Sequence, residues 1–444
     1  MLTPMASPSA SSAAPDPPHR RTRPPARWTP LRVFGLFVVL FLVGSVGFGI
    51  LKLVAGDAAV DRAQTALDPF YTPPDRLPAT PGTVIRSEPM NLDLANGTAQ
   101  RVLYTSRDQT GASIAVSGMV FQPTTPAVPA PIVAWAHPTL GQADKCAPSR
   151  SAKPLSDMDD WLELMLARGW VVTATDYAGL GTPGPKTYLI GEQSANDLVN
   201  AVRAAQSLVT APTSADWVLW SHSQGGQAAL WAAAQGAKLA PELNLRGVGV
   251  AAPAAELMPI MNAQWDTVVA WVIGPEATES FVPAYPELDV LGALSQAGRD
   301  AMADLAEQCI TGQGIRGKAR ETFDEQFFAA NPTTNSAWVQ IVTEQTPPVL
   351  PPDIPVLLVQ GTADEVVLAP TNALFQNSWC AQGANLSALW LGGVDHAHAA
   401  IIGGPTMVQW AASRFDGEPQ IPNCSFPPPV APAAAIPAIG GSGG

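Results

Sequence analysis

The sequence predicts an α/β fold, with a mostly parallel sheet, helices on both faces and an inserted helical cap. Three observations lead there. Short, continuous apolar runs such as PIVAWAHPT (131–139) and WVVTATDY (170–177) alternate with helical patterns, as strands buried on both faces do. Three earlier strand-like segments have no helices between them, which fits antiparallel strands on one sheet edge. A stretch of mixed helices, about 257–345, then separates two sheet strands, where a crossover needs only about a dozen residues.

Composition narrows the class. The 444 residues are 47% hydrophobic with 13 Trp, enough for a sizeable core. Charged residues are only 14% and the net charge is −13, which argues against nucleic acid as a partner. There are four cysteines, Cys146, Cys309, Cys380 and Cys424, and none forms a Cys-x-x-Cys pair. In an exported domain an even count favours two disulfides, with three connectivities open. No metal-ligand cluster and no phosphate loop appears, so neither metal nor cofactor is expected.

Taken in order, residues 1–30 are Pro, Ser, Ala and Arg without apolar periodicity, and read as a disordered cytoplasmic tail. Residues 31–55 follow as a transmembrane signal anchor. Val33 to Leu51 carry no charge, and as a helix they span about 28 Å against a hydrocarbon core of ~30 Å. Arg20, Arg21, Arg23, Arg27 and Arg32 precede this segment, and Asp57 and Asp61 follow it. The positive-inside rule puts the N-terminus in the cytoplasm and the remainder outside. A cleaved signal peptide, which would release a secreted domain, has a shorter apolar region of about 7–15 residues. Residues 56–80 read as a linker and 81–425 as the main domain.

Within the domain, TVIRSE (83–88), AQRVLYTSRD (99–108) and SIAVSGMVFQP (113–123) read as the early strands. Asp157 to Arg168 reads as a helix closed by Gly169. A second helix, SANDLVNAVRAAQSL, starts from Ser194 as N-cap and shows Leu198, Val199, Val202, Ala205 and Leu208 on one side. LRGVGVAAP (245–253), PVLLVQG (355–361) and LSALWLGG (386–393) read as later strands, and MVQWAASRF (407–415) as the last helix. The cap includes the helical runs QAGRDAMADLAEQCI (296–310) and KARETFDEQFFAA (318–330). The Pro-rich tail 426–444 is expected to be disordered.

The chemistry concentrates at WVLWSHSQGGQAAL (217–230), a strand, Ser-x-Ser-x-Gly, then a helix. That is the pattern of a nucleophile elbow, whose tight turn needs small residues two before and two after the nucleophile. Ser221 and Gly225 meet the need, so Ser223 is the nucleophile and Ser221 its spacer. Read more plainly, the same residues are a helix N-cap beside a chance glycine. A serine needs a base, and the base an orienting acid, in the chain order nucleophile, acid, base.

The chain has five histidines. His19 lies in the tail, His137 precedes the serine, and His222 occupies the elbow. Only His396 and His398 follow any suitable acid, in LWLGGVDHAHAA after a strand. His396 is nearer the strand end and is preferred. Packing or local hydrogen bonding is expected of His137 and His222. Asp364 follows Gly361-Thr362-Ala363 in the preceding turn and is the acid. Glu365 reads as solvated, Asp395 as too close in sequence to face His396, and Asp176 as structural or lining a pocket. The oxyanion donors expected are the backbone N–H of Gln224 and the loop around Thr139 and Leu140.

With these residues in hand, the chain resembles the α/β-hydrolase secretory lipases related to Candida antarctica lipase A. The matching motifs are AWAHPTLGQADKCAPS, TDYAGLGTPGPKTYLIGEQSANDLVNAVRAA, SHSQGGQAALWAA, VQGTADEVV and GVDHAHA, spread over about 131–424. The resemblance implies an α/β-hydrolase fold, a serine esterase or lipase activity, a helical lid, and Ser223, Asp364 and His396 as the triad. It also implies a helper position near Leu140 and the pairs Cys146–Cys309 and Cys380–Cys424. Ser221 in the elbow and the N-terminal anchor depart from the common form. The apolar cap, with Trp265, Trp271, Phe281 and Leu291, suggests an acyl or lipid ester as substrate. Rival readings are an acyltransferase on the same triad, a serine peptidase, and an anchored, inactive binding module.

Overall fold

The computed structural model describes residues 63–158 and 160–436. Its strands are β1 (Val84–Met90), β2 (Gly97–Arg107), β3 (Ser113–Pro123), β4 (Ala130–Ala136), β5 (Val171–Thr175), β6 (Thr213–His222), β7 (Asn244–Ala251), β8 (Val356–Gly361) and β9 (Leu386–Leu391). They form one sheet in the order β1-β2-β3-β5-β4-β6-β7-β8-β9. β1, β2 and β3 are antiparallel neighbours, and β3 meets β5 antiparallel. From β5 to β9 every pairing is parallel.

β6 shows why the central strands are apolar throughout. Trp217 and Leu219 face one core with Leu198, Val202, Ala228 and Ala232, from the helices Gly191–Leu208 and Gln224–Leu239. Val218 and Trp220 face the other, with Leu162, Met407 and Ala411, from the helices Leu162–Ala167 and Ala399–Phe415. Neighbouring side chains point to opposite faces, and helices cover both. On the second face the rings of Trp135, Trp161 and Trp220 lie 4.8–6.5 Å apart.

Some helix boundaries differ from expectation, each for a tertiary reason. The helix expected from Asp157 begins only at Leu162. Turns precede it, so that Trp161 reaches Trp135 while its Nε1 donates to the Asp157 carbonyl at 3.0 Å. Gly169 closes it with φ 78°, as expected. Ser194 is not an N-cap, because the helix already starts at Gly191. The Gly191 amide donates to Gln345 Oε1 at 2.7 Å, and a side chain there would strike the Trp231 ring. The Ser194 hydroxyl bonds back to the Ile190 carbonyl.

Between β7 and β8 lie the helices Leu257–Gln264, Val268–Ala284, Gln296–Ala306, Ile310–Glu321 and Ser336–Gln345. They share a core that includes Trp271, Phe281, Phe327, Phe328 and Trp338. The run expected to be one helix over 296–310 stops at Ala306, and a new helix follows Cys309. Cys309 is bonded to Cys146 and bridges to Gly141, which holds the chain at that break. The run expected over 318–330 ends at Glu321, after which Phe327 and Phe328 turn into the core. The second disulfide is Cys380–Cys424, so one of the three connectivities is selected.

Parts of the expected linker and of the tail expected to be disordered contact the main body. Residues 64–71, within the expected linker, are helical and bury Phe70 and Tyr71 against Leu103 and Ala115. In the tail, the Ala433 amide donates to the Pro370 carbonyl at 2.8 Å, and Ile436 packs on the inserted helices. No helix among the described residues is long and apolar enough to cross a membrane. The expected anchor at 31–55 lies outside them.

Candidate active site

At the end of β6 the chain turns at Ser223 and enters the helix Gln224–Leu239. Ser223 has φ 55° and ψ −118°, a conformation that a residue with a Cβ adopts only under strain. A Cβ on Gly225 would lie 2.0 Å from the Ala136 carbonyl oxygen, so helix and β4 approach this closely only at a glycine. Ser221 is fully buried, and its hydroxyl donates to the Gly249 carbonyl at 2.9 Å. It is small, and its polar atom is satisfied.

The loop after β9 brings His396 over this turn. His396 Nε2 lies 2.9 Å from Ser223 Oγ, and Nδ1 lies 2.8 Å from Asp364 Oδ2. Asp364, in the turn after β8, is buried. Its Oδ1 accepts from the Val366 and Val367 amides at 3.0 and 2.9 Å, and its Oδ2 from Gln360 Nε2 at 3.0 Å. With the carboxylate accepting the hydrogen bond from Nδ1–H, the lone pair of Nε2 faces the hydroxyl.

The other histidines and acids go elsewhere. His398 Nδ1 pairs with Asp395 Oδ1 at 2.6 Å on the surface. Glu365 is exposed, and its Oε2 is 3.5 Å from the His396 amide. Asp176 is buried and accepts from the Ser117 hydroxyl and the Ser149 amide; burial pushes its carboxyl up. His137 Nδ1 bonds the Pro138 carbonyl, and its ring lies 4.5 Å from that of Tyr177. His222 Nε2 reaches the main-chain oxygen of His396 at 2.9 Å. Sequence reasoning missed this partner; its only signal was that His222 adjoins the nucleophile position.

Of the expected oxyanion residues, Gln224 opens the helix next to Ser223, where N–H groups are free of helical partners. Leu140 lines a small polar cavity together with Gln224, and its carbonyl accepts from the Ile310 amide at 2.9 Å. Thr139 is buried with its hydroxyl on Tyr188, 2.8 Å away. The Cys146–Cys309 bond and the Ile310 amide together join this loop to the inserted helices.

Ser223 also opens onto an apolar cavity lined by Leu257, Ile260, Met261, Trp265, Ile273 and Phe281, among others. Of the four residues picked from sequence, Trp265 and Phe281 line it. Trp271 is core beside Phe327, and Leu291 is an exposed surface residue.

Glu276, which sequence reasoning did not single out, lies buried on the polar cavity beside Gln224 and Leu140. Burial raises its pKa from 4.5 to about 8, against hydrogen bonds with Gln313 and Gly141 that lower it. Because the folded value is raised, the stability it contributes is complete below about pH 4.5 and is lost as pH rises through about 8. Glu276→Gln is therefore expected to match the wild type in thermal midpoint at about pH 4. At pH 9 it should be more stable, on the order of a few kcal/mol. An equal difference at both pH values would contradict this.

Comparison with known proteins assigns the chain. The secretory lipase family model matches residues 156–423. Lipase 1 of Candida albicans is 26% identical over 396 residues, covering 81% of this chain and 82% of that lipase. A Mycobacterium tuberculosis protein described as a probable inactive lipase, MT1628, is 27% identical over 379 residues, covering 79% of this chain and 82% of that one. The crystal structure of Candida antarctica lipase A superposes with a TM-score of 0.66 at 19% identity, covering 83% of this chain and 89% of that chain. At that identity the superposition speaks to the fold, which is the α/β-hydrolase fold. The chain belongs to the secretory lipase family, and with it to the carboxylic ester hydrolases.

Proposed function

We propose that the chain hydrolyses acyl or lipid esters through an acyl-enzyme on Ser223. His396 takes the hydroxyl proton as Ser223 attacks the ester carbonyl, then delivers it to the leaving alcohol. Asp364 holds the imidazole and stabilises the imidazolium. The Gln224 amide and an amide of the Thr139–Leu140 loop donate to the oxyanion; one such donor is typically worth about 2.7–4 kcal/mol of barrier. Water, activated by His396, then releases the acid. The observation that carries this reading is the unbroken relay, 2.9 Å from Ser223 to His396 and 2.8 Å on to Asp364.

The apolar cavity beside Ser223 supports an acyl substrate, and the inserted helices over about 257–345 act as its lid. The test is a panel of p-nitrophenyl esters of increasing chain length, assayed with and without an alcohol acceptor. Turnover of acyl esters with water as the dominant acceptor is expected. Dominant transfer to the alcohol would favour the acyltransferase reading. The likeness to MT1628 keeps the inactive-module reading in view, and absence of any turnover would favour it.

The apolar segment 33–51 with its preceding arginines supports an anchored enzyme whose catalytic domain faces outward. Activity of the full chain should stay in the membrane fraction after an alkaline wash. Release into the wash would point to a cleaved, secreted form.

A further inference from the structure

His222 closes β6 one residue before Ser223 and is buried. Its Nε2 lies 2.9 Å from the main-chain oxygen of His396, and the two rings face each other with centroids 4.8 Å apart. A carbonyl oxygen only accepts, so Nε2 carries the proton. Nδ1 is buried and has no hydrogen-bond partner among the described residues, which suits a bare lone pair. Burial first, and then the nearby His396, drives the pKa of His222 down to about 3. The ring is a neutral donor wherever the enzyme would work.

His396 needs such a donor. Its loop leaves β9 through Gly392 and Gly393, where nothing lies within 4 Å of an added Cβ. That end is held through the Gly393 amide, which donates to Thr362 Oγ1 at 2.8 Å, and the Val394 carbonyl, which accepts from the Ala363 amide at 3.0 Å. At His396 itself the bonds are longer: among the described residues its amide meets the Glu365 carboxylate at 3.5 Å, and the Ala399 amide reaches its carbonyl at 3.3 Å. The bond from His222 is shorter than both. A neutral neighbour also leaves the imidazolium that forms on His396 unopposed, whereas a second cation at that distance would repel it.

We infer that His222 is a positioning residue: its N–H tethers the His396 loop by the main chain, so that the imidazole spans Ser223 and Asp364. The inference rests on the triad reading proposed above. His222→Phe keeps a ring and removes the donor. It is expected to lower kcat by about 10²-fold, the scale of a misplaced catalytic group, with KM changed less than about twofold. His222→Gln offers an N–H to the same carbonyl and should recover about tenfold of that loss. Wild-type kcat in the Phe variant would overturn the inference, as would an equal fall in both variants.

If the Phe variant does not fold, the 15N signals of His222 in the full chain decide, assigned by their loss in His222→Gln. They should report a neutral ring protonated at Nε2 from about pH 5 to 9. Titration in that range, or a proton on Nδ1, would overturn it. Ser223→Ala, run in parallel, separates the two readings. Turnover surviving there means the triad fails. An inactive Ser223→Ala beside a fully active His222→Phe means that only the tether fails.

Discussion

Ser223→Ala is expected to lower kcat for p-nitrophenyl esters by about 10⁴–10⁶-fold, the largest effect of any single substitution. The change removes one oxygen, whose partner in the structure is His396 Nε2. Alanine meets the same backbone demand as serine at φ 55°, and the flanking Ser221 and Gly225 are untouched, so the thermal midpoint should hold. A fluorophosphonate should label the wild type at Ser223 and leave the variant unlabelled. Retained turnover in a folded Ser223→Ala protein would remove the nucleophile from the proposal.

The second large effect is Asp364→Asn, expected to lower kcat by about 10⁴-fold with little change in fold. Two main-chain amides, from Val366 and Val367, donate to Oδ1, so an asparagine keeps its oxygen there. Its NH2 then takes the place of Oδ2, facing His396 Nδ1 and Gln360 Nε2. Facing Nδ1, that NH2 can only donate. The imidazole proton moves to Nε2, and the ring no longer offers a lone pair to the serine. Fluorophosphonate labelling of Ser223 should slow in parallel with kcat. Near-normal turnover would instead point to another carboxylate, and Glu365, close to the His396 amide, would be the next to test.

The two predictions differ in how much of their basis was legible beforehand. The elbow is local: a strand, a serine between two small residues and a helix are all contiguous, and steric crowding at the turn admits few alternatives. Asp364 and His396 were reached by chain order and by elimination, since few histidines follow the serine. Nothing in the spacing separates His396 from His398 beyond distance from the strand end. Folding separates them, because one ring turns toward Ser223 and Asp364 while the other pairs with Asp395 on the surface. Helix starts were read less well. Leu162 and Gly191 begin their helices where they do because Trp161 must reach Trp135 and because Gln345 caps the Gly191 amide from a distant helix. Neither constraint is a property of the segment itself.

Glu276 and His222 show the limit most plainly. In sequence, Glu276 is one of two acids in an apolar helix, and the packing of that helix in the fold removes water from it and raises its pKa. His222 is separated from His396 by 174 residues, and its role depends on one bond across that gap. The sequence by itself determined the alternation of buried strands and helices, the elbow and the serine at its centre, because periodicity and turn sterics act between near neighbours. Only the tertiary structure decided which imidazole faces the serine, what tethers it and which carboxyl loses its water. Those outcomes depend on distances between segments that meet only when the sheet has closed and the helices have covered it.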